Sequence, residues 1–240
     1  MSGHSKWSTI KRKKGAKDAK RGAMFTRLGK DITLAARDGG GDINMNANLR
    51  LAVKKAKAAN MPNDNIDRAI KKGTGELAGQ KYESYIYEGY GPHGVALLIE
   101  VLSDNKNRTV PEIRHLLTKN NGNLGESGCV NWMFEKKGIV LINKTNLEEE
   151  KLLEDLLDLG IESYDELDDV YELMITPEEF PDIIKSLEDS GYNFEGNISL
   201  VPINFINIAS NQVDSILKLI NALEEHDDVQ KVHTNISISE

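Results

Sequence analysis

Between Gly3 and Lys30 the chain carries ten cations, Lys6, Lys11, Arg12, Lys13, Lys14, Lys17, Lys20, Arg21, Arg27 and Lys30, against one acid, Asp18. Lys and Arg at this density bind polyanions, because each phosphate they neutralise releases a condensed counterion. Trp7 adds an indole that can stack on a base. Gly15 and Gly22 let the backbone follow a partner's surface. The competing reading is a solvated basic tail, the usual fate of such runs. Against it stands the rest of the composition. The formal net charge is −8, yet residues 1–80 hold 18 Lys and Arg against 7 Asp and Glu, and the remaining 160 residues hold 12 against 31. This asymmetry is the signature of a nucleic-acid-binding module joined to something else.

No other set of residues has the spacing that chemistry needs. His4, His93, His115, His226 and His233 show no metal-ligand spacing. Cys129 is the single cysteine, so no internal disulfide or Cys-based metal site forms, and it is expected as buried filler in a cytoplasmic protein. Gly89, Gly91 and Gly94 resemble a phosphate loop only loosely. They fall between two strands rather than before a helix, so a hairpin turn accounts for them better. The Asp104–Arg108 cluster reads as a helix cap. The acidic runs Glu148–Glu150 and 165–169 read as solvated faces. The expectation is therefore a non-enzyme with no cofactor, no metal and no small-molecule substrate. There is no apolar run of about 18 residues, so no membrane span is expected, and the cationic start lacks the apolar stretch of a secretory signal.

The elements that would position the cations follow from periodicity. Met24, Leu28, Ile32 and Ala35/Ala36 form one helical stripe from about Lys17, with Arg27, Lys30 and Arg37 facing away and Gly39–Gly41 ending the helix. A second helix, Asn46 to Asn60, buries Leu49, Ala52, Val53, Ala56 and Ala59 and shows Arg50, Lys54, Lys55 and Lys57. A third, capped by Asn63 or Asp64, buries Ile66, Ala69 and Ile70 and shows Arg68, Lys71 and Lys72. These outer faces scarcely mix signs, as a merely solvated face would. The candidate nucleic-acid contacts are thus Lys6, Trp7, Lys11, Arg12, Lys13, Lys14, Lys17, Lys20, Arg21, Arg27, Lys54, Lys57, Arg68, Lys71 and Lys72. None of these helices offers a base-reading face in the helix-turn-helix manner, which favours shape readout or RNA.

Beyond the linker Gly73–Gln80 the period changes to two. Tyr82–Tyr90, Val95–Leu102 and Gly128–Phe134 are expected as strands, with a helix from Asp104 or Asn105 through Leu117. Residues 138–202 follow the βαββαβ order of a ferredoxin-like unit. Its strands are Ile139–Ile142, Ile161–Tyr164, Val170–Ile175 and Asn193–Val201, and its helices Leu147–Leu159 and Pro177–Asp189. A final helix, Val213–Leu223, and strand, Val229–Ile238, complete the interrupted block before it. The fold class is α+β: an N-terminal three-helix domain (1–80), then two ferredoxin-like α/β domains, the second (137–202) inserted into a split first (81–136 plus 203–240).

Several segments carry a resemblance: GHSKW, AKDAKR, NANLRLAVKKAKAANMPNDNIDRAIKKG, YEGYGP, SDNKNRTVPEIR, GCVNWMF and DVQKVHTN. The chain resembles, end to end, the YebC family of bacterial proteins, whose mitochondrial relatives act as translational activators. The resemblance implies three domains, one helical and two α/β. It implies a transcriptional regulator that binds DNA, or alternatively a translation factor on ribosomal or transfer RNA that relieves stalls, with the transcription machinery or the ribosome as partner. Two positions depart from the family's pattern, His93 where Gly is more frequent and Ser103 where Thr usually precedes Asp-Asn. Neither touches the basic segment.

Overall fold

The computed structural model describes residues 21–77, 82–145, 147–161 and 164–238. Helix α1 (Arg21–Gly39) ends at Gly40, whose φ of 83° lies in the left-handed region that closes helices. Asn46 caps α2 (Ala47–Ala58): its side chain accepts the Leu49 N–H, while its amide donates to the carbonyls of Ala35 and Gly40 and ties the loop down. Met61–Pro62 breaks the chain before α3 (Asn63–Thr74). Here the expected side-chain cap is absent. Pro62 occupies the cap position, and its carbonyl takes the N–H groups of Asn65 and Ile66 instead. Leu28, Ile32, Ala35, Ala36, Leu49, Val53, Ala56, Met61, Ile66 and Ala69 fill the core between the three helices, with Met24 and Phe25 at its edge. The helices approach closely where α1 passes α3, since a Cβ at Gly73 would collide with the Thr33 carbonyl.

The first α/β layer begins with β1 (Glu83–Tyr90) and β2 (Ala96–Ser103), then α4 (Lys106–Lys119) and the short β3 (Asn123–Leu124). Its strand order is completed from the far end of the chain by α7 (Val213–Glu224) and β9 (Val229–Thr234), giving an antiparallel sheet β3-β1-β2-β9. Leu97, Ile99 and Val101 pack against Ile113 and Leu117 of α4 and Ile216, Leu219, Ile220 and Leu223 of α7. Ala96 and Leu98 point the other way, to Val130 and Phe134. Strand β2 is buried on both faces, which is why ALLIEVL reads as a nearly continuous apolar run. The turn before it holds His93 at φ 62°, a conformation that suits glycine, and the ring lies within hydrogen-bonding distance of Gln212 and Ser215. Two short parallel strands, β8 (Ile206–Ile208) and β10 (Ile236–Ile238), sit beside this layer.

Between β3 and β8 in the chain run β4 (Phe134–Asn143), α5 (Glu149–Asp158), β5 (Asp165–Glu166), β6 (Val170–Ile175), α6 (Phe180–Asp189) and β7 (Phe194–Pro202). The sheet order β5-β6-β4-β7, antiparallel throughout, is the ferredoxin-like arrangement. Both layers carry two helices on one face of a four-stranded sheet; in the first the central pair is the β1–β2 hairpin. Leu152, Leu156, Phe180, Ile183, Ile184 and Leu187 seal the helical face of the second sheet, and Ala47 and Leu51 of α2 join that core. Helix α2 thus belongs to two cores at once.

Two strand expectations are corrected. Residues 128–133 form a turn and a short 3₁₀ helix (Asn131–Met133), and the strand starts only at Phe134. The cause is Glu88, whose buried carboxylate accepts the N–H groups of Gly128, Val130 and Asn131 and curls the segment. The strand expected at Ile161–Tyr164 is the later pair Asp165–Glu166; residues 162 and 163 lie outside the described residues.

We propose that residues 137–202 are a domain inserted into the split one formed by 81–136 and 203–240. Phe134 pairs with Pro202, and the Ile203 N–H donates to the Met133 carbonyl at 2.8 Å, so the two junctions are adjacent. Joining Lys137 to Ile203 through a short Gly/Ser linker should leave one cooperative unfolding transition, at lower temperature because Ala47 and Leu51 lose their cover. A molten product, read from dye binding and a lost near-ultraviolet signal, would refute the division.

Candidate nucleic-acid interface

Of the candidate contacts, Lys6, Trp7, Lys11, Arg12, Lys13, Lys14, Lys17 and Lys20 lie outside the described residues, and Arg21 opens α1. The remaining cations divide by what they touch. Lys30 and Arg37 face away from the bundle's stripe as expected, but not into solvent: α1 lies between the bundle and the first α/β layer. Lys30 is buried and donates to the carbonyls of Glu224 and His226 at 2.6 and 2.8 Å, completing the carbonyl end of α7. Burial pulls its ammonium down to about 8, while Glu224 and Asp227 hold it up. Arg27 lies 3.8 Å from Glu224. Arg37 donates to Glu100 of β2 at 2.9 Å and also pairs with Asp38.

The cations of α2 partly serve the layer built from β4 to β7. Lys55 pairs with Glu195 at 2.6 Å, Arg50 with Glu188 at 3.4 Å, and Lys54 stands 5.9 Å from the Phe194 ring. Lys72, at the end of α3, sits 4.8 Å over the Tyr82 ring at the junction with the first layer. That leaves Lys57, Arg68 and Lys71, all exposed and without an ion pair among the described residues. Arg68 and Lys71 are one helical turn apart and share a face. The structure therefore separates cations that bind the domains together from cations that meet solvent.

Two buried networks lie outside the residues that the sequence singles out as contacts. Glu100 takes hydrogen bonds from Arg37 and from His233, whose other ring nitrogen lies 3.0 Å from the Leu200 carbonyl. Asp228 accepts from Ser103, Thr109 and Arg108 through one oxygen. The signal for the first was a lone carboxylate inside the apolar run of β2. For the second it was the SDNKNRT and DVQKVHTN segments, which meet here although about 120 residues apart in the chain.

Among the described residues no group of three or more His, Cys, Asp or Glu is placed to hold a metal ion. No described helix is long and apolar enough to cross a membrane. Cys129 is half-buried, and burial followed by the nearby Glu88 pushes its thiol pKa up, the direction that makes a thiol inert.

Residues 5–76 match the family described as TACO1/YebC protein N-terminal domain, and residues 82–236 that described as TACO1/YebC second and third domain. The chain belongs to the YebC family. A probable transcriptional regulatory protein of Desulfotalea psychrophila is 53% identical over 242 residues, which cover 100% of this chain and 97% of that one. Another from Geobacter sulfurreducens is 53% identical over 240 residues with the same coverage. Among solved structures, a conserved hypothetical protein from Aquifex aeolicus is 44% identical with a TM-score of 0.78, covering 93% of each chain. In this member of the YebC family, Ser103 supplies to Asp228 the same hydroxyl that threonine would, so that departure preserves the network.

Proposed function

We propose that this YebC-family protein is a non-enzymatic regulator of transcription in the cytoplasm that binds DNA through phosphate contacts. Lys6, Lys11, Arg12, Lys13, Lys14, Lys17, Lys20 and Arg21 form the main contact and Lys57, Arg68 and Lys71 its continuation, with Arg27, Lys54 and Lys72 at its border because they also meet Glu224, Phe194 and Tyr82, and Trp7 stacks. The observation that carries the reading is the division of labour among cations. Lys30, Arg37, Arg50 and Lys55 bind acids or carbonyls of the α/β layers, whereas Lys57, Arg68 and Lys71 stay exposed and without an ion pair among the described residues, in a chain whose first thirty residues are more densely cationic still. The names of the relatives support a regulator. A second reading, binding of ribosomal or transfer RNA during translation, is favoured by one feature: the exposed cations of α3 offer points of charge without a base-reading helix face.

The test is salt dependence. One phosphate contact each from Lys11, Arg12, Lys13, Lys14, Lys17 and Lys20 would by itself give a slope of log affinity against log salt of about −5 on duplex DNA and about −4 on single strands. Replacing Lys11, Arg12, Lys13 and Lys14 by Ala should flatten the slope by roughly three to four units. Trp7→Ala should instead weaken binding by about 1–3 kcal/mol with the slope kept, more on unpaired strands. Wild-type protein with no slope on either nucleic acid would sink the reading. Capture of ribosomes rather than chromosomal fragments, abolished by ribonuclease, would transfer it to RNA.

A further inference from the structure

We propose that the outer face of α4 is a second phosphate-contacting surface for duplex DNA; this rests on the nucleic-acid reading and adds a site to it. The fourteen residues of α4 hold Lys106, Arg108, Arg114 and Lys119 against one acid, Glu112. They sit in a stretch, residues 81–240, where 31 acids face 12 cations. A helix drawn from that background should be acidic; this one reverses the sign. Thr109, Ile113 and Leu117 bury its inner side. Outward lie two exposed stripes at helical spacing, Arg108, Glu112, His115, Lys119 and Asn107, Pro111, Arg114, Thr118.

The lone acid is already engaged. Glu112 lies 2.9 Å from His226 and 3.9 Å from Arg108, and Arg108 is itself held by Asp228. Arg114 and Lys119 are left exposed, with no ion pair among the described residues. From Lys106 to Lys119 the helix rises about 20 Å, a length along which a duplex presents several phosphates. The face is also fixed in place. Asn105 caps α4 and Asp228 anchors its first turn. A basic face held rigidly in this way suits a stiff duplex better than a flexible strand.

The experiment compares wild type with the Arg114→Gln/Lys119→Gln double variant, with Lys151→Gln on α5 as a control, on duplex DNA and on duplex RNA. Both α4 side chains are exposed, so the thermal midpoint should hold within a degree or two. Loss of two phosphate contacts should flatten the DNA slope by about two units, so that the fall in affinity between about 50 and 200 mM salt shrinks by roughly tenfold. The control should keep the wild-type slope. A double variant with wild-type slope overturns the α4 site while leaving the N-terminal reading intact. Weaker binding at unchanged slope overturns phosphate contact, and a slope change on RNA alone overturns duplex DNA as the occupant. If wild type shows no slope, both readings fall together.

Discussion

Glu100→Ala is expected to cost the folded protein about 3–5 kcal/mol, the range for removing one partner of a buried charge pair. Glu100 stands in the middle of β2 on the face away from α4 and α7. Its carboxylate oxygens lie 2.7 Å from the His233 ring and 2.9 Å from the Arg37 guanidinium. The second nitrogen of His233 meets the Leu200 carbonyl, which only accepts, so that nitrogen donates. One carboxylate thus ties α1 of the bundle, β2 and β9 of the first layer and, through His233, β7 of the second. Removing it strands a guanidinium and an imidazole out of water. Burial opposes the charge on Glu100, but the hydrogen bonds from His233 and Arg37 outweigh it and hold the carboxyl down to about 2 from 4.5. A depressed folded pKa means that its stabilisation is whole above about pH 4.5 and is lost as pH falls from there towards 2; the shift corresponds to about 3 kcal/mol. Urea unfolding followed from pH 7 to pH 3 should show a larger acid-sensitive loss of stability in wild type than in Glu100→Ala, where only the other carboxylates such as Asp228 contribute. A loss below about 1 kcal/mol at pH 7, or an unchanged acid profile, would mean that the junction is held by something else.

The bundle was legible because its stripe has one period: Leu28, Ile32, Ala35 and Ala36 recur as a helix face must, and the structure buries all four. The 138–202 unit was legible for the same reason, its periods alternating between two and 3.6 in the ferredoxin-like order. Lys30 and Arg37 show the limit of such patterning. A periodic stripe reports the first surface a helix covers, and α1 covers a second, whose partners Glu224 and Glu100 lie 194 and 63 residues away in the chain. Gly128–Phe134 misled for a related reason. Its apolar residues suit a strand, but the backbone there answers to the Glu88 carboxylate some 40 residues earlier. Local sequence records propensity; it does not record which distant acceptor will claim the N–H groups. Among the candidate cations the sequence could count charge but could not tell Lys55, spent on Glu195, from Lys57, which is exposed.

Asp228→Ala should cost about 2–4 kcal/mol and loosen the first turn of α4 before anything else, because three donors converge on one buried oxygen. Thr109 reaches it at 2.6 Å, Arg108 at 2.7 Å and Ser103 at 2.9 Å, and the side chain is only 8% exposed. Burial alone would raise the carboxyl's pKa. The hydrogen bonds from Thr109, Arg108 and Ser103 overcome that and set it below 3.8, so this contribution too is present at neutral pH and lost on acidification below the ordinary carboxylate range. After the substitution Arg108, half exposed, can turn to Asp104, Glu112 and water. The two hydroxyls retain each other at 2.8 Å, which keeps the loss short of a stranded charge. What goes is the side-chain tie from Asp228 to Ser103 and Thr109, while the Leu102 N–H keeps its bond to the carbonyl of residue 228; the Asn105 cap leans on that side-chain tie, since the Asn105 N–H itself donates to Ser103. Hydrogen exchange should therefore accelerate over residues 103–110 while the α1–α3 amides keep wild-type protection. Ser103→Thr keeps the hydroxyl and adds one methyl at a buried site, so it should cost less than Asp228→Ala and leave exchange over residues 103–110 near wild type. If Asp228→Ala instead unfolds the bundle and the α/β layers together, with no excess exchange at α4, the two motif segments meet for a reason other than holding that helix.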